Sequence, residues 1–209
     1  MVVPSPPSPP EPRPLAPLSK DALRLAALEA RKAFVRTLDD ASRTILEERL
    51  AEHLTAVCAA ARVVAGYSAL GSEISPQLAM EEARSVGAIV AFPAFHNPGK
   101  PFRFVAGDPL VPGPFGIMQP RKSAPAVEPD LILVPLIAVD PLGSRLGRGK
   151  GHYDQVLGRL RRAGAKLIGV GWSMQRLNDT VPADPWDVPL DAFATPDGLE
   201  WFERSGRAN

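Results

Sequence analysis

Cysteine is nearly missing from this chain. Cys58 stands alone, so no internal disulfide can form and no cysteine-rich metal site can be built. Histidine is scarce too: the three present share no metal-ligand spacing. No apolar run approaches the ~20 residues needed to cross a bilayer. The first residues have neither the charged n-region nor the apolar h-region of a secretory signal. Cys58 falls in an alanine-rich helical stretch, where it reads as a small core residue. These shortages predict a cytoplasmic protein without a membrane partner. An excess of one charge is also lacking. A net charge of +1 over 209 residues argues against a general polyanion binder, which needs a broad basic surface. No nucleic-acid partner is expected, and a monomer is.

Proline, by contrast, is abundant at 24 residues and unevenly spread. Residues 1–18 carry so many that neither a helix nor an interior strand can form there. They read as a disordered Pro-rich tail, leaving 19–209 as a single α/β domain. Ser19 is a candidate N-cap with Asp21 in the first turn. Leu23, Ala27, Ala30 and Phe34 follow at helical spacing, with Lys20, Arg24 and Arg31 on other faces. A second helix is predicted over roughly 40–60, a strand over Val63–Tyr67, and a helix opened by Ser75-Pro76 and running to about Val86. Ala88–Phe92 reads as a strand, 93–129 as a Pro/Gly-rich region with a short strand at Phe102–Val105, and Leu131–Pro135 as a buried strand. A helix to about Arg162 and a strand over Lys166–Gly171 come next, and Leu177–Trp201 reads as mostly irregular. Alternating strands and helices predict a three-layer α/β sandwich with a mostly parallel central sheet flanked by helices. Ligands of such sheets bind beyond the carboxyl ends of strands, where Ser68, Phe95 and the 143–154 loop would all lie.

That loop, Gly143-Ser-Arg-Leu-Gly-Arg-Gly-Lys-Gly-His-Tyr-Asp154, is the most informative stretch. Glycine lets the backbone bend and approach a ligand so that N–H groups converge. Arg145, Arg148 and Lys150 repel one another unless an anion sits among them. Strand, glycine-rich loop and helix N-terminus together form a phosphate cradle. Asp154 at the helix start would repel phosphate and makes sense if a divalent cation lies between them. The loop is neither a Walker loop, which needs Ser or Thr after the Lys, nor a dinucleotide fingerprint. The plain alternatives are a charged surface turn, or a non-catalytic phosphate-ligand or nucleic-acid binding protein using the same donors.

The run from Leu131 through Ala138-Val-Asp140 to Arg145–Asp154 resembles the signature of the 5-formyltetrahydrofolate cyclo-ligase family, also called 5,10-methenyltetrahydrofolate synthetases. Lys20 and Arg24, Ser68 and Glu73, Trp186-Asp187 and Thr195-Pro196 match further features in the expected order. The resemblance implies an enzyme, an ATP-dependent C–N ring-closing ligase that converts 5-formyltetrahydrofolate to 5,10-methenyltetrahydrofolate with release of ADP and phosphate. It implies that Lys20, Arg24, Arg145, Leu146, Gly147, Arg148, Gly149, Lys150, Gly151, His152 and Tyr153 hold ATP, with Arg148 and Lys150 catalytic. Ser68, Glu73, Phe95, Phe115, Arg148 and His152 would contact the reduced folate. Asp154 and Asp187 would ligate Mg2+. On their spacing alone, Lys20 and Arg24 better suit a solvated helix face, Asp154 suits a dipole-stabilised carboxylate as well as a metal ligand, and Asp187 reads as a turn residue between prolines.

Overall fold

A computed structural model describes residues 19–95, 100–149 and 151–203. The expectations for residues 1–18 and for Lys150 therefore lie outside the described residues. Helix α1, Lys20–Arg36, starts where the sequence indicates: the Ser19 hydroxyl accepts from the Ala22 N–H at 3.3 Å. Helix α2, Asp40–Ala59, is capped by Asp39, whose carboxylate accepts from the Ser42 N–H at 2.8 Å. Strand β1 (Val63–Ala65), helix α3 (Gln77–Ser85) and strands β2 (Ile89–Ala94) and β3 (Arg103–Ala106) follow. Helix α3 begins one residue later than expected. Pro76 occupies the cap position, and the Ser75 hydroxyl accepts from the Gln77 N–H at 3.2 Å.

A small antiparallel pair, β4 (Val111–Pro112) and β5 (Met118–Gln119), encloses a 3-10 turn at Pro114–Gly116. Strand β6 is Leu131–Pro135, as predicted. A second short pair, β7 (Ala138–Val139) and β8 (Arg145–Leu146), leads into helix α4 (His152–Arg162) and strand β9 (Lys166–Val170). The chain ends in the hairpin β10 (Ala192–Thr195) and β11 (Gly198–Trp201). This hairpin corrects the expectation of an irregular C-terminal stretch. The apolar run is four residues long and set among prolines, too short for periodicity to show. Its signal is the Pro196-Asp197-Gly198 sequence at the turn.

The seven-stranded sheet has the order β11-β10-β9-β6-β1-β2-β3. Its five inner strands are parallel, and the antiparallel strands β3 and β11 close the edges. From β1 the chain steps outward to β2, then returns to β1's other side to lay down β6, β9 and β10. The order reverses between β1 and β6, the switch point where an open α/β sheet presents a crevice.

Alternation along β6 shows why its apolar run is continuous. Leu131 and Leu133 join Leu50, Leu54 and Cys58 of α2 and Met80 of α3 in one core layer. Ile132 and Val134 join Val156, Leu157 and Leu160 of α4 in the other. Among the described residues, no helix is long and apolar enough to cross a membrane.

Candidate functional site

The carboxyl ends of β1, β2 and β6 open into a cleft of about 740 Å³. Its walls carry Lys20 and Arg24 from α1, Ser68 and Glu73 after β1, and Phe95 after β2. Arg145 through Asp154 and the 184–187 turn complete it, apart from Leu146 and the undescribed Lys150.

Three features hold the glycine loop in place. Asp140, fully buried, accepts from the N–H groups of Leu142 (2.9 Å), Ser144 (2.8 Å) and Val181 (2.9 Å), which fixes the turn between β7 and β8. Gly143, at the same turn, has φ +78°, and a Cβ there would lie 2.8 Å from the Leu190 carbonyl oxygen. Arg24 donates from Nε to the Gly147 carbonyl at 2.9 Å. Beyond this point Gly149 (φ +80°) and Gly151 (φ +65°) adopt the left-handed conformation that favours glycine. Gly151 occupies the N-cap of α4 and supplies no side-chain cap. The first turn of α4 faces the cleft, and a helix N-terminus presents backbone N–H groups of the kind that suit an anion.

Each described cation of the loop meets a carboxylate. The Arg145 guanidinium donates to Asp154 at 2.5 Å and lies 5.4 Å from the Tyr153 ring centroid. Its Nε is buried without a hydrogen-bond partner among the described residues. Asp154 is the third residue of α4 rather than its cap, a correction to the expectation that it begins the helix. Arg148 donates to Glu73 Oε1 at 2.8 Å, while Glu73 Oε2 accepts the Leu70 N–H at 2.9 Å. Lys20 donates to Asp184 at 2.5 Å and to Asp187 at 2.6 Å. Burial works against the Lys20 charge, but the hydrogen bonds to the two aspartates outweigh it and hold its pKa above the ordinary value.

An aromatic group lies at the β2 end. Phe95 packs against His152 and Phe102, in both cases at 5.4 Å between centroids, and Phe102 packs against Tyr153 at 5.0 Å. Burial pushes the Tyr153 hydroxyl upward despite the Arg145 charge, so the phenol stays neutral. Ser68 donates to the Met118 carbonyl at 3.2 Å.

Of the residues the sequence singles out, Lys20, Arg24, Ser68, Glu73, Phe95, Arg145, Gly147, Arg148, Gly149, Gly151, His152, Tyr153, Asp154 and Asp187 line this cleft together. Leu146 does not. Its side chain is 1% exposed and packs with Ala138 and Val181, because the pleat of β8 turns it inward while Arg145 faces the cleft. Phe115 is on the Pro114–Gly116 turn, and its side chain lies outside the described residues.

Helix α1 overturns the expectation that its cations occupy faces away from the core. Lys20, Arg24 and Arg31 follow the inward stripe, and Arg31 is 1% exposed. It donates to the Ser72 hydroxyl at 3.0 Å and to the Leu136 carbonyl at 3.1 Å. Sequence reasoning names Arg31, Asp140 and Trp186 but gives them no part in the site, and it passes over Asp184. Spacing could have found Arg31, which lies four residues after Ala27 and three before Phe34.

Asp154 and Asp187 are hard oxygen donors on the cleft wall. Magnesium takes few protein carboxylates and fills its shell with water and phosphate oxygens, so this donor set fits it. The described residues contain no group of three or more His, Cys, Asp or Glu that could cage a metal alone.

Comparison with known proteins shows what the chain as a whole is similar to. A model of the 5-formyltetrahydrofolate cyclo-ligase family matches residues 17–196. A 5-formyltetrahydrofolate cyclo-ligase of Mycolicibacterium smegmatis is 35% identical over 192 residues, covering 87% of this chain and 96% of that protein. The NMR structure of Aquifex aeolicus 5,10-methenyltetrahydrofolate synthetase superposes with a TM-score of 0.74 at 28% identity, covering 91% of this chain and 95% of the other. A synthetase of Mycoplasma pneumoniae shares the fold, with a TM-score of 0.68 at 24% identity over 86% of this chain and 99% of the other.

Proposed function

Because this chain belongs to the 5-formyltetrahydrofolate cyclo-ligase family, we propose that it closes 5-formyltetrahydrofolate to 5,10-methenyltetrahydrofolate, using ATP and magnesium and releasing ADP and phosphate. The observation that best supports this reading is the Arg148–Glu73 ion pair at 2.8 Å. It joins the glycine loop, an anion cradle, to a buried carboxylate at the switch point, so that two substrates would meet at one residue.

The chemistry explains why ATP is needed. A formamide carbonyl is resonance-stabilised, and its oxygen is a poor leaving group. The formyl oxygen attacks the γ-phosphorus and ADP departs, leaving an imidate-like phosphate. N10 attacks the activated carbon and gives up its proton, and phosphate leaves with the former formyl oxygen. Catalysis of such a transfer rests on positioning and charge neutralisation. That no Ser-His-Asp arrangement stands out among the described residues is therefore no objection to an enzyme.

Lys20, Arg24, Arg145 and the backbone of Gly147–Tyr153 would hold ATP, with Arg148 and Lys150 bearing the charge on the transferred group. Ser68, Glu73, Phe95, Phe115 and His152 would receive the folate, the aromatic rings against its flat heterocycle. Asp154 and Asp187 would hold magnesium, which supplies charge neutralisation at the phosphates. The cations now paired with these aspartates, Arg145 and Lys20, belong to the same nucleotide set. Carboxylates at Glu73, Asp154, Asp184 and Asp187 oppose the rival reading as a nucleic-acid binding protein, because they would repel a phosphate backbone.

An absorbance assay for methenyltetrahydrofolate, run with 5-formyltetrahydrofolate and with or without MgATP, tests the proposal. Product should form only with MgATP. A folded protein that makes no ATP-dependent product would refute the assignment.

A further inference from the structure

Trp186 is 69% exposed, and the turn that carries it is tied down at several points. It sits in the turn Asp184-Pro185-Trp186-Asp187, with proline at the position where its fixed φ suits a turn. The turn is closed twice: the Asp187 N–H donates to the Asp184 carbonyl at 3.0 Å, and the Asp184 N–H donates to the Asp187 carboxylate at 2.8 Å. Both carboxylates then bind Lys20, tying the turn to the first residue of α1. Trp186 thereby lines the cleft that contains the glycine loop. Leu25, 65% exposed, lines the same cleft and follows Arg24, the residue that grips Gly147.

A singly exposed apolar side chain needs no explanation, but two on the wall of one cleft, beside its cations, form apolar surface of the kind that marks a ligand site. The cations around this turn suit phosphates. A nucleoside triphosphate also carries a flat base with two apolar faces, and among the described residues Trp186 is the one indole on the cleft wall, set in the turn whose carboxylates hold Lys20. We propose that Trp186, with Leu25, forms the stacking platform for the nucleobase, the feature by which the enzyme distinguishes a nucleoside triphosphate from bare polyphosphate. This inference rests on the nucleotide-dependent reading given above. It adds to that reading a residue outside the glycine loop that sets affinity for the base and leaves the phosphate contacts alone.

The test compares two probes on wild type, Trp186→Ala and Trp186→Phe: a non-hydrolysable ATP analogue with magnesium, and tripolyphosphate, which carries the charges without a base. Removing a base–aromatic stack costs roughly 5- to 150-fold in affinity. Trp186→Ala should therefore weaken the analogue by that factor, leave tripolyphosphate within about twofold, and raise the KM for ATP more than it lowers kcat. Trp186→Phe should recover most of the loss. Equal loss for both probes would make the turn a support for Lys20 and overturn the platform, as would no loss for either. If wild type binds neither probe, the nucleotide reading fails and the platform with it.

Discussion

Asp154 and Arg145 show how a residue's neighbours change what its substitution should do. By sequence, Asp154 is a carboxylate at a helix start, where asparagine would serve as well. In the fold it neutralises Arg145, whose side chain is 6% exposed. Asp154→Asn should therefore lower stability by about 1–3 kcal/mol, the usual cost of uncovering a buried charge-assisted pair. Thermal melts should show a drop of about 3–9 °C. Turnover at limiting magnesium should fall by about one to two orders of magnitude. Unchanged turnover would remove Asp154 from the metal set, and an unchanged melt would mean the pair contributes nothing.

Lys20 gives a prediction in pH. Its ordinary pKa is 10.5, and although burial opposes the charge, the hydrogen bonds to Asp184 and Asp187 raise it in the folded protein. A base that folding holds protonated adds stability that is complete below its unfolded pKa and is lost as pH rises through the folded one. The melting advantage of wild type over Lys20→Met should hold steady near pH 8 and shrink above about pH 10.5. A difference that stays flat to pH 11 would show that the ion pairs are not linked to folding.

At the scale of elements, the β7–β8 hairpin exists to deliver Arg145, and its turn leaves no slack. Gly143 combines φ +78° with a backbone oxygen 2.8 Å from the position a Cβ would take. Gly116, at φ +73°, has nothing within 4 Å of that position among the described residues. Gly116→Ala should cost only the left-handed penalty, about 1–2 kcal/mol. Gly143→Ala should cost more, about 2–4 kcal/mol, and should also weaken triphosphate binding, because Arg145 follows two residues later. Equal melts for the two variants would show that the hairpin yields more readily than its contacts suggest.

For the whole molecule, the expectation concerns residues 1–18. Their prolines bar helix and interior strand, and the family match begins at residue 17. Removing them while keeping Ser19, which caps the helix carrying Lys20 and Arg24, should leave both the melting temperature and the ATP-dependent activity unchanged. Weaker ATP binding at an unaltered melting temperature would mean that this segment reaches the nucleotide.

What could be read from residues alone was whatever depends on near neighbours in the chain. Ser19 announced its helix, the apolar run Leu131–Pro135 its buried strand, and Gly149 and Gly151 a tightly turned loop ahead of α4, because caps, pleats and glycine turns act over a few positions. The terminal hairpin escaped because a four-residue strand carries too little periodicity, and α1 misled because a stripe of cations facing inward looks like one facing water. Only the packed fold could bring Glu73 against Arg148, 75 positions away, or Lys20 against Asp184 and Asp187, 164 and 167 positions away. Those pairings are decided by the reversal of strand order between β1 and β6 and by the burial that gives a charge few partners. Neither exists until distant strands lie side by side.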